Sequence, residues 1–548
     1  MRVIKINVGS SFKKYNNKMR RSIHFFIVNF FLFLHSAIGQ NLTKELYYRN
    51  PIIYSDYSDP DVIRVGSKYI MTASSFNHTP GLPILTSNDM VHWDLVGHAL
   101  PKLVPESYYS SVRHGGGVWA PAIRFHNNQY YIYYPDPDFG IYMIHSKKIT
   151  GPWSSPLLVI SGKGLIDPCP FWDDNGKVYL IHAYAGSRAG IKSLLVMKEL
   201  NKEGTNIVNE GSIVYDGHVD DPTIEGPKLY KQNGFYYIFA PAGGVSTGWQ
   251  TVLRSKNIYG PYERRVVMNQ GGTDINGPHQ GAWIKDKNQK DWFIHFQDRG
   301  VYGRVVHLQP MKWNNDWPLI GEDVQHNGIG QPVIYYPGTN AIDPINKISS
   351  SQTDSFSGCK LNNEWQWQAN PCLQWSYLNG TSLRLYTAYY QDSLNNLYNV
   401  PQLLMKKFES ESFEAITKVL FTPNKKNDKC GIIVFGYDYA WIGLEKKDSG
   451  VYIVQSICKK ADQGNEERQE VLTNVSTNQS VYLKVSVAKE GICSFGYSTD
   501  GIQFFTLPNQ LHATQGKWVG AKVGLFAHSN TKTNDCGYAD FDWFTIKK

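Results

Sequence analysis

The chain has 548 residues, 42% of them apolar, 14% aromatic and 19% charged, a composition that excludes disorder and low-complexity fibre. Its length leaves room for two large β domains or three to four ordinary ones. Of the formal net charge of +8, seven charges come from Arg2, Lys5, Lys13, Lys14, Lys18, Arg20 and Arg21, in a stretch 1–40 that holds no acid. The rest of the chain is close to neutral and has no basic block to neutralise a row of phosphates, so nucleic acid is excluded as a partner.

Residues 1–39 read as an export signal. Arg20 and Arg21 precede an apolar run, Ile23 to Leu34, and Ala37-Ile38-Gly39 offers a small-residue cleavage site. Met19 is an alternative start. The run is far shorter than the roughly 20 residues a membrane span requires. The expected protein is therefore exported, to the periplasm or the medium, and has no membrane insertion after cleavage.

From residue 40 to 335 one pattern recurs five times: a short motif, a strand, a Gly/Asn/Asp turn and a Tyr/Trp-rich apolar strand. The copies begin at Asp59, Ala120, Asp167, Glu225 and His279, as in Asp59-Pro-Asp-Val-Ile-Arg and Glu225-Gly-Pro-Lys-Leu-Tyr. Their spacing suits a four-stranded antiparallel sheet each, and Asn-Gly-like turns between apolar runs signal hairpins. Five such units predict an all-β fold built on a five-bladed β-propeller. Residues 336–349 read as a linker. From 350 to 548 the chain alternates as strands without the repeat, including Val481-Tyr-Leu-Lys-Val-Ser-Val, which predicts a jelly-roll β-sandwich. The seven cysteines (169, 359, 372, 430, 458, 493, 536) form no CxxC pair and no zinc-type cluster; export would permit some to pair, and the odd count leaves at least one unpaired.

The first residue of each copy takes an equivalent place at the start of the innermost strand, so Asp59, Asp167 and Glu225 converge on the central channel. Three carboxyls buried together raise at least one pKa. A fold tolerates that mainly for chemistry, and one protonated and one ionised carboxyl across a pocket is what glycoside hydrolysis uses. Asp61, Asp220 and Asp221 fall off the phase and read as turn or strand-end residues. His279 is open to three roles: core histidine, sugar contact or axial metal ligand. Phe76, Trp119 and Trp249 are candidate sugar platforms. Arg304 is a candidate to bind a substrate hydroxyl or to hold a catalytic acid ionised.

The set Ser58-Asp59-Pro60-Asp61, Gly117-Val-Trp-Ala-Pro121, Ile166-Asp167-Pro168, Thr223-Ile-Glu225-Gly-Pro227 and Gly277-Pro-His279-Gln-Gly281 resembles glycoside hydrolase family 43 over residues 48–335. The sandwich resembles the C-terminal domain of its β-xylosidase and α-L-arabinofuranosidase branch. The resemblance implies an inverting exo-glycosidase with Asp59 as general base, Glu225 as general acid and Asp167 as the third acid that orients Glu225 and tunes its acidity. It places Phe76, Trp119, His279 and Arg304 in the glycone pocket. Ser-Asp-Pro-Asp departs from the commoner Pro-Asp-Pro-Ser form. The expected substrate is a terminal α-L-arabinofuranose on plant cell-wall polysaccharide or its oligosaccharides, with β-D-xylose on xylo-oligosaccharides as the alternative. A non-catalytic carbohydrate-binding propeller and a protein-interaction propeller are readings of other classes. No cofactor is required; a structural Ca²⁺ in the sandwich is an expectation, held by Asp354 and Asp542 if the first and last strands pair.

Overall fold

Two-residue turns set the hairpins of the repeat. Asn127-Asn128, Asn233-Gly234 and Asn315-Asp316 all take positive φ at both positions, and they connect the register pairs His126↔Gln129, Gln232↔Phe235 and Asn314↔Trp317. This is the type I′ geometry whose twist matches paired strands, and Asn, Asp and Gly tolerate it best. The computed structural model describes residues 47–338, 351–390 and 395–548. The expected leader at 1–39, the alternative start Met19 and residues 339–349 of the expected linker lie outside the described residues.

Five four-stranded antiparallel sheets follow one another along the chain. Their innermost strands are Asp61–Val65, Ala122–His126, Leu165–Trp172, Lys228–Gln232 and His279–Lys285, and the last outer strand ends at Ile320. The second strands, such as Phe235–Ala242, are buried along nearly their whole length. Each face packs against a neighbouring blade, which is why the Tyr-Tyr-Ile-Phe runs do not alternate with polar residues. One apolar cluster fills each gap between blades. Val62 and Met71 of the first blade meet Trp292 and Leu308 of the fifth, so the ring is closed. A preceding segment seals that gap: Tyr48 Oη and Asn50 Nδ2 both donate to Leu308 O at 2.8 Å, and Ile52 N donates to Val306 O.

Beyond Ser351 two antiparallel sheets, of nine and seven strands, pack face to face as a β-sandwich. Val481–Ala488 alternates buried and half-buried residues as a one-sided strand should. Val419, Leu483, Ile432 and Leu525 lie in the apolar layer between the sheets. Asp354 pairs with Phe544, joining the first strand to the last. Polar contacts fasten the sandwich to the propeller: Asn370 Oδ1 accepts from Leu103 N and Asn370 Nδ2 donates to Leu103 O. Gly520 N donates to Asp56 Oδ2, and Ala521 N to Val301 O. A Cβ on Gly520 would lie 2.6 Å from the Gly303 nitrogen, so only glycine permits this approach. All seven cysteines are unpaired. Cys169 serves instead as an acceptor for Arg124 Nη2 and Leu229 N, buried between neighbouring blades.

Candidate active site

Local backbone geometry turns the acids towards the axis. Asp59 and Asp167 sit at φ 56° and 57°, left-handed values that Asp tolerates better than most residues. Around Asp167 the register jumps from Ile166↔Ala183 to Cys169↔Ile181. Such a bulge bends the strand and re-aims its side chain. Glu225 precedes the fourth inner strand and is fixed by its N–H to Pro241 O at 3.0 Å. Together with His279 and Arg304 these acids line one cavity of about 260 Å³.

Each carboxyl has its own partners. Asp59 Oδ2 accepts from Ser58 Oγ at 2.8 Å and from Ser74 Oγ. Arg304 Nη1 donates to Ser58 Oγ and stands 3.9 Å from the same Asp59 oxygen. Its guanidinium carbon lies 5.0 Å from the Phe296 ring and 6.0 Å from Phe76, an aromatic cage that holds a cation in place. Glu225 Oε1 is 2.8 Å from His279 Nε2, and the buried His279 Nδ1 has no partner among the described residues. The Nε2–H tautomer therefore donates to Glu225. Asp167 Oδ2 accepts from Gly226 N at 2.7 Å. Burial pushes the Asp167 carboxyl up to about 8, with the charges of Glu225 and Asp59 adding to the rise.

That shift has a thermodynamic consequence. Between the ordinary value of 3.8 and about 8 the folded chain holds a proton on Asp167 that the unfolded chain releases. Its contribution to stability is therefore full below pH 4 and lost progressively up to pH 8. Asp167→Asn removes this loss. The expected melting-temperature difference, variant minus parent, rises steadily from pH 4 to 8 and levels off above; a difference independent of pH contradicts the assignment.

Phe76 and Trp119 form walls of the cavity, as the sequence suggests, but a third ring comes from far along the chain. Trp518, on the sandwich loop that Gly520 and Ala521 anchor, lines the same cavity. Its ring meets Trp119 edge-on at 6.4 Å. Nothing in the repeat could announce it, because it belongs to the other domain. Gln280 is a second lining residue outside the predicted set. Trp249 is a correction: its Nε1 donates to Asp221 Oδ1 and Thr251 Oγ1, and it is not among the residues lining the cavity. Asp61 is more than a strand end, because it is fully buried and paired with Arg124 at 2.7 Å. Asp221 likewise pairs with Arg264.

The expected calcium pair does not form a common site. The first and last strands meet, but a register shift between Lys418 and Val419 opposite residues 541–543 bulges the last strand. Asp542 turns outward to Lys418 Nζ at 2.7 Å. Asp354 turns inward, accepting from Phe356 N at 3.0 Å and from Trp365 Nε1 at 2.8 Å. His279, the candidate axial ligand, is committed to Glu225. No group of three or more His, Cys, Asp or Glu side chains among the described residues is arranged to hold a metal ion.

Comparison with known proteins agrees with this architecture. A family model described as Glycosyl hydrolases family 43 matches residues 48–318, and one described as Beta xylosidase C-terminal Concanavalin A-like domain matches 353–547. The chain is 37% identical over 481 residues to a putative beta-xylosidase of Xylanibacter ruminicola, covering 87% of this chain and 85% of that one. It is 28% identical to a non-reducing end alpha-L-arabinofuranosidase of Bacteroides ovatus, covering 91% and 94%. The crystal structure of a family 43 protein variant from Bacillus licheniformis superposes with a TM-score of 0.78 at 25% identity, covering 92% of this chain and all of that one.

Proposed function

The chain belongs to glycosyl hydrolase family 43, and from that premise we propose that it is an inverting exo-β-D-xylosidase that removes terminal xylose from xylo-oligosaccharides. The observation that carries this reading is the meeting of Asp59, Asp167 and Glu225 in one small cavity roofed by Trp518. At about 260 Å³ it lies below the usual range of extended ligand clefts, as suits one terminal sugar better than the interior of a polymer. The family resemblance leaves arabinofuranose as the expected sugar. The two sugars present similar hydroxyl patterns, so motifs shared across the branch do not separate them, and the 37% identity to a protein named a putative beta-xylosidase moves the preference to xylose. The relative named an arabinofuranosidase supports α-L-arabinofuranosides as the second reading.

In the proposed reaction Asp59, held by two serine hydroxyls, takes a proton from a water as that water attacks the anomeric carbon. Glu225, oriented by His279, gives its proton to the departing glycosidic oxygen on the opposite face. The burial that lifts Asp167 keeps a proton within the trio at neutral pH, where the leaving group requires one. The chemistry calls for no cofactor. Export through residues 1–39, to the periplasm or the medium, is part of the same reading and puts the enzyme where plant cell-wall oligosaccharides are met.

The test is release of 4-nitrophenol from its β-D-xylopyranoside and α-L-arabinofuranoside. The expected result is a higher kcat/KM on the xyloside. A higher value on the arabinofuranoside turns the substrate assignment over and leaves the acid–base roles standing. Sugar binding without turnover on aryl glycosides or xylo-oligosaccharides supports the binding-only propeller.

A further inference from the structure

One polar side chain in the cavity has no part in the chemistry described so far. Gln280 is the extra residue of a bulge in the fifth inner strand, between the pairs His279↔Phe296 and Gly281↔His295. Its φ of 32° is an unfavourable value for a residue with a side chain. The residue is only 5% exposed and lines the cavity, and its buried Oε1 has no hydrogen-bond partner among the described residues. Leaving a buried amide oxygen unpaired is costly.

The turn that carries the general acid makes room for it. A Cβ on Gly226 would lie 2.8 Å from both Cγ and Cδ of Gln280. Residue 226 can therefore present its N–H to Asp167 and still admit the Gln280 amide only because it is glycine. Strained backbone and an orphaned acceptor persist together where a ligand completes the bond.

We propose that Gln280 is a specificity-determining residue whose side-chain amide hydrogen-bonds one hydroxyl of the terminal pentose. This rests on the glycosidase reading and deepens it. The partner is a neutral hydroxyl, because the carboxyls of Asp59, Asp167 and Glu225 that line the same cavity repel a substrate carboxylate. A glycoside lacking that hydroxyl leaves the amide unpaired and is rejected for that reason.

The test is a cycle between enzyme and substrate: kcat/KM of the parent and of Gln280→Leu on the preferred 4-nitrophenyl glycoside and on its monodeoxy analogues. The expected result is a loss of about ten- to a hundredfold for Gln280→Leu on the full sugar. One monodeoxy analogue, poorer for the parent by a similar factor, is then hydrolysed equally well by parent and variant. An unchanged kcat/KM on the full sugar, or an equal loss on every analogue, overturns the proposal. Gln280→Asn keeps the amide but withdraws it by one methylene, and it enters the same cycle if the leucine variant melts early. A parent inactive on both aryl glycosides overturns the glycosidase reading itself, an outcome distinct from failure of the cycle.

Discussion

Replacing Asp59 by Ala lowers kcat/KM about 10³- to 10⁴-fold on every glycoside, whatever its leaving group. The reason lies in what Asp59 does and how it is held. Ser58 and Ser74 both donate to one oxygen, Oδ2, and Arg304 stands 3.9 Å from that same oxygen. Among the described residues Oδ1 has no hydrogen-bond partner, which suits it to the attacking water. A better leaving group cannot compensate for a nucleophile that is never activated. A small anion can, because the truncated side chain leaves space beside the anomeric carbon. Azide restores turnover of the 4-nitrophenyl β-xyloside by displacing 4-nitrophenolate and forming the α-xylosyl azide. Kinetics with and without azide, with the product identified, check this. Activity within tenfold of the parent without azide contradicts the role.

Glu225→Gln gives the opposite dependence on leaving group. The glutamine keeps the 2.8 Å approach to His279 but carries no proton that it can transfer. On xylobiose, whose leaving sugar departs as a poor alkoxide, the expected loss is about 10²- to 10⁴-fold. On the 4-nitrophenyl glycoside, whose phenolate departs without help, the loss shrinks to about tenfold or less. Parallel measurement of kcat/KM on the two substrates checks the contrast; equal losses contradict the acid role. The two variants therefore separate base from acid through substrate choice and anion rescue, although both carboxyls belong to one cavity.

The repeat made the propeller legible because each blade must bury both faces of its second strand, and that requirement prints Tyr- and Trp-rich runs at regular spacing. The acids were legible through phase: Asp59, Asp167 and Glu225 each open a copy of the repeat, and equivalent positions in a ring face the axis. What escaped did so for local reasons. Trp518 reaches the cavity from a sandwich loop anchored by Gly520 and Ala521, and no periodicity links residue 518 to residue 119. Gln280 follows the residue that opens the fifth copy, and nothing in the sequence shows the bulge that turns it inward. Trp249 looked like a sugar platform, but its indole N–H is committed to Asp221. A bulge also undid the Asp354–Asp542 pair, since strand pairing can be read from position in the chain but an added residue that reverses a face cannot. Residue type told which side chains could act as acids, and only the folded backbone told which of them meet.

The most direct measurement of the central claim is the anomeric configuration of the first product, followed by proton NMR as the parent hydrolyses 4-nitrophenyl β-D-xylopyranoside. With Asp59 activating water and Glu225 protonating the leaving oxygen on opposite faces, α-D-xylose forms first and its signal leads until mutarotation supplies the β form. Appearance of β-D-xylose first would mean retention through a covalent intermediate, and would contradict the assignment of Asp59 as a base.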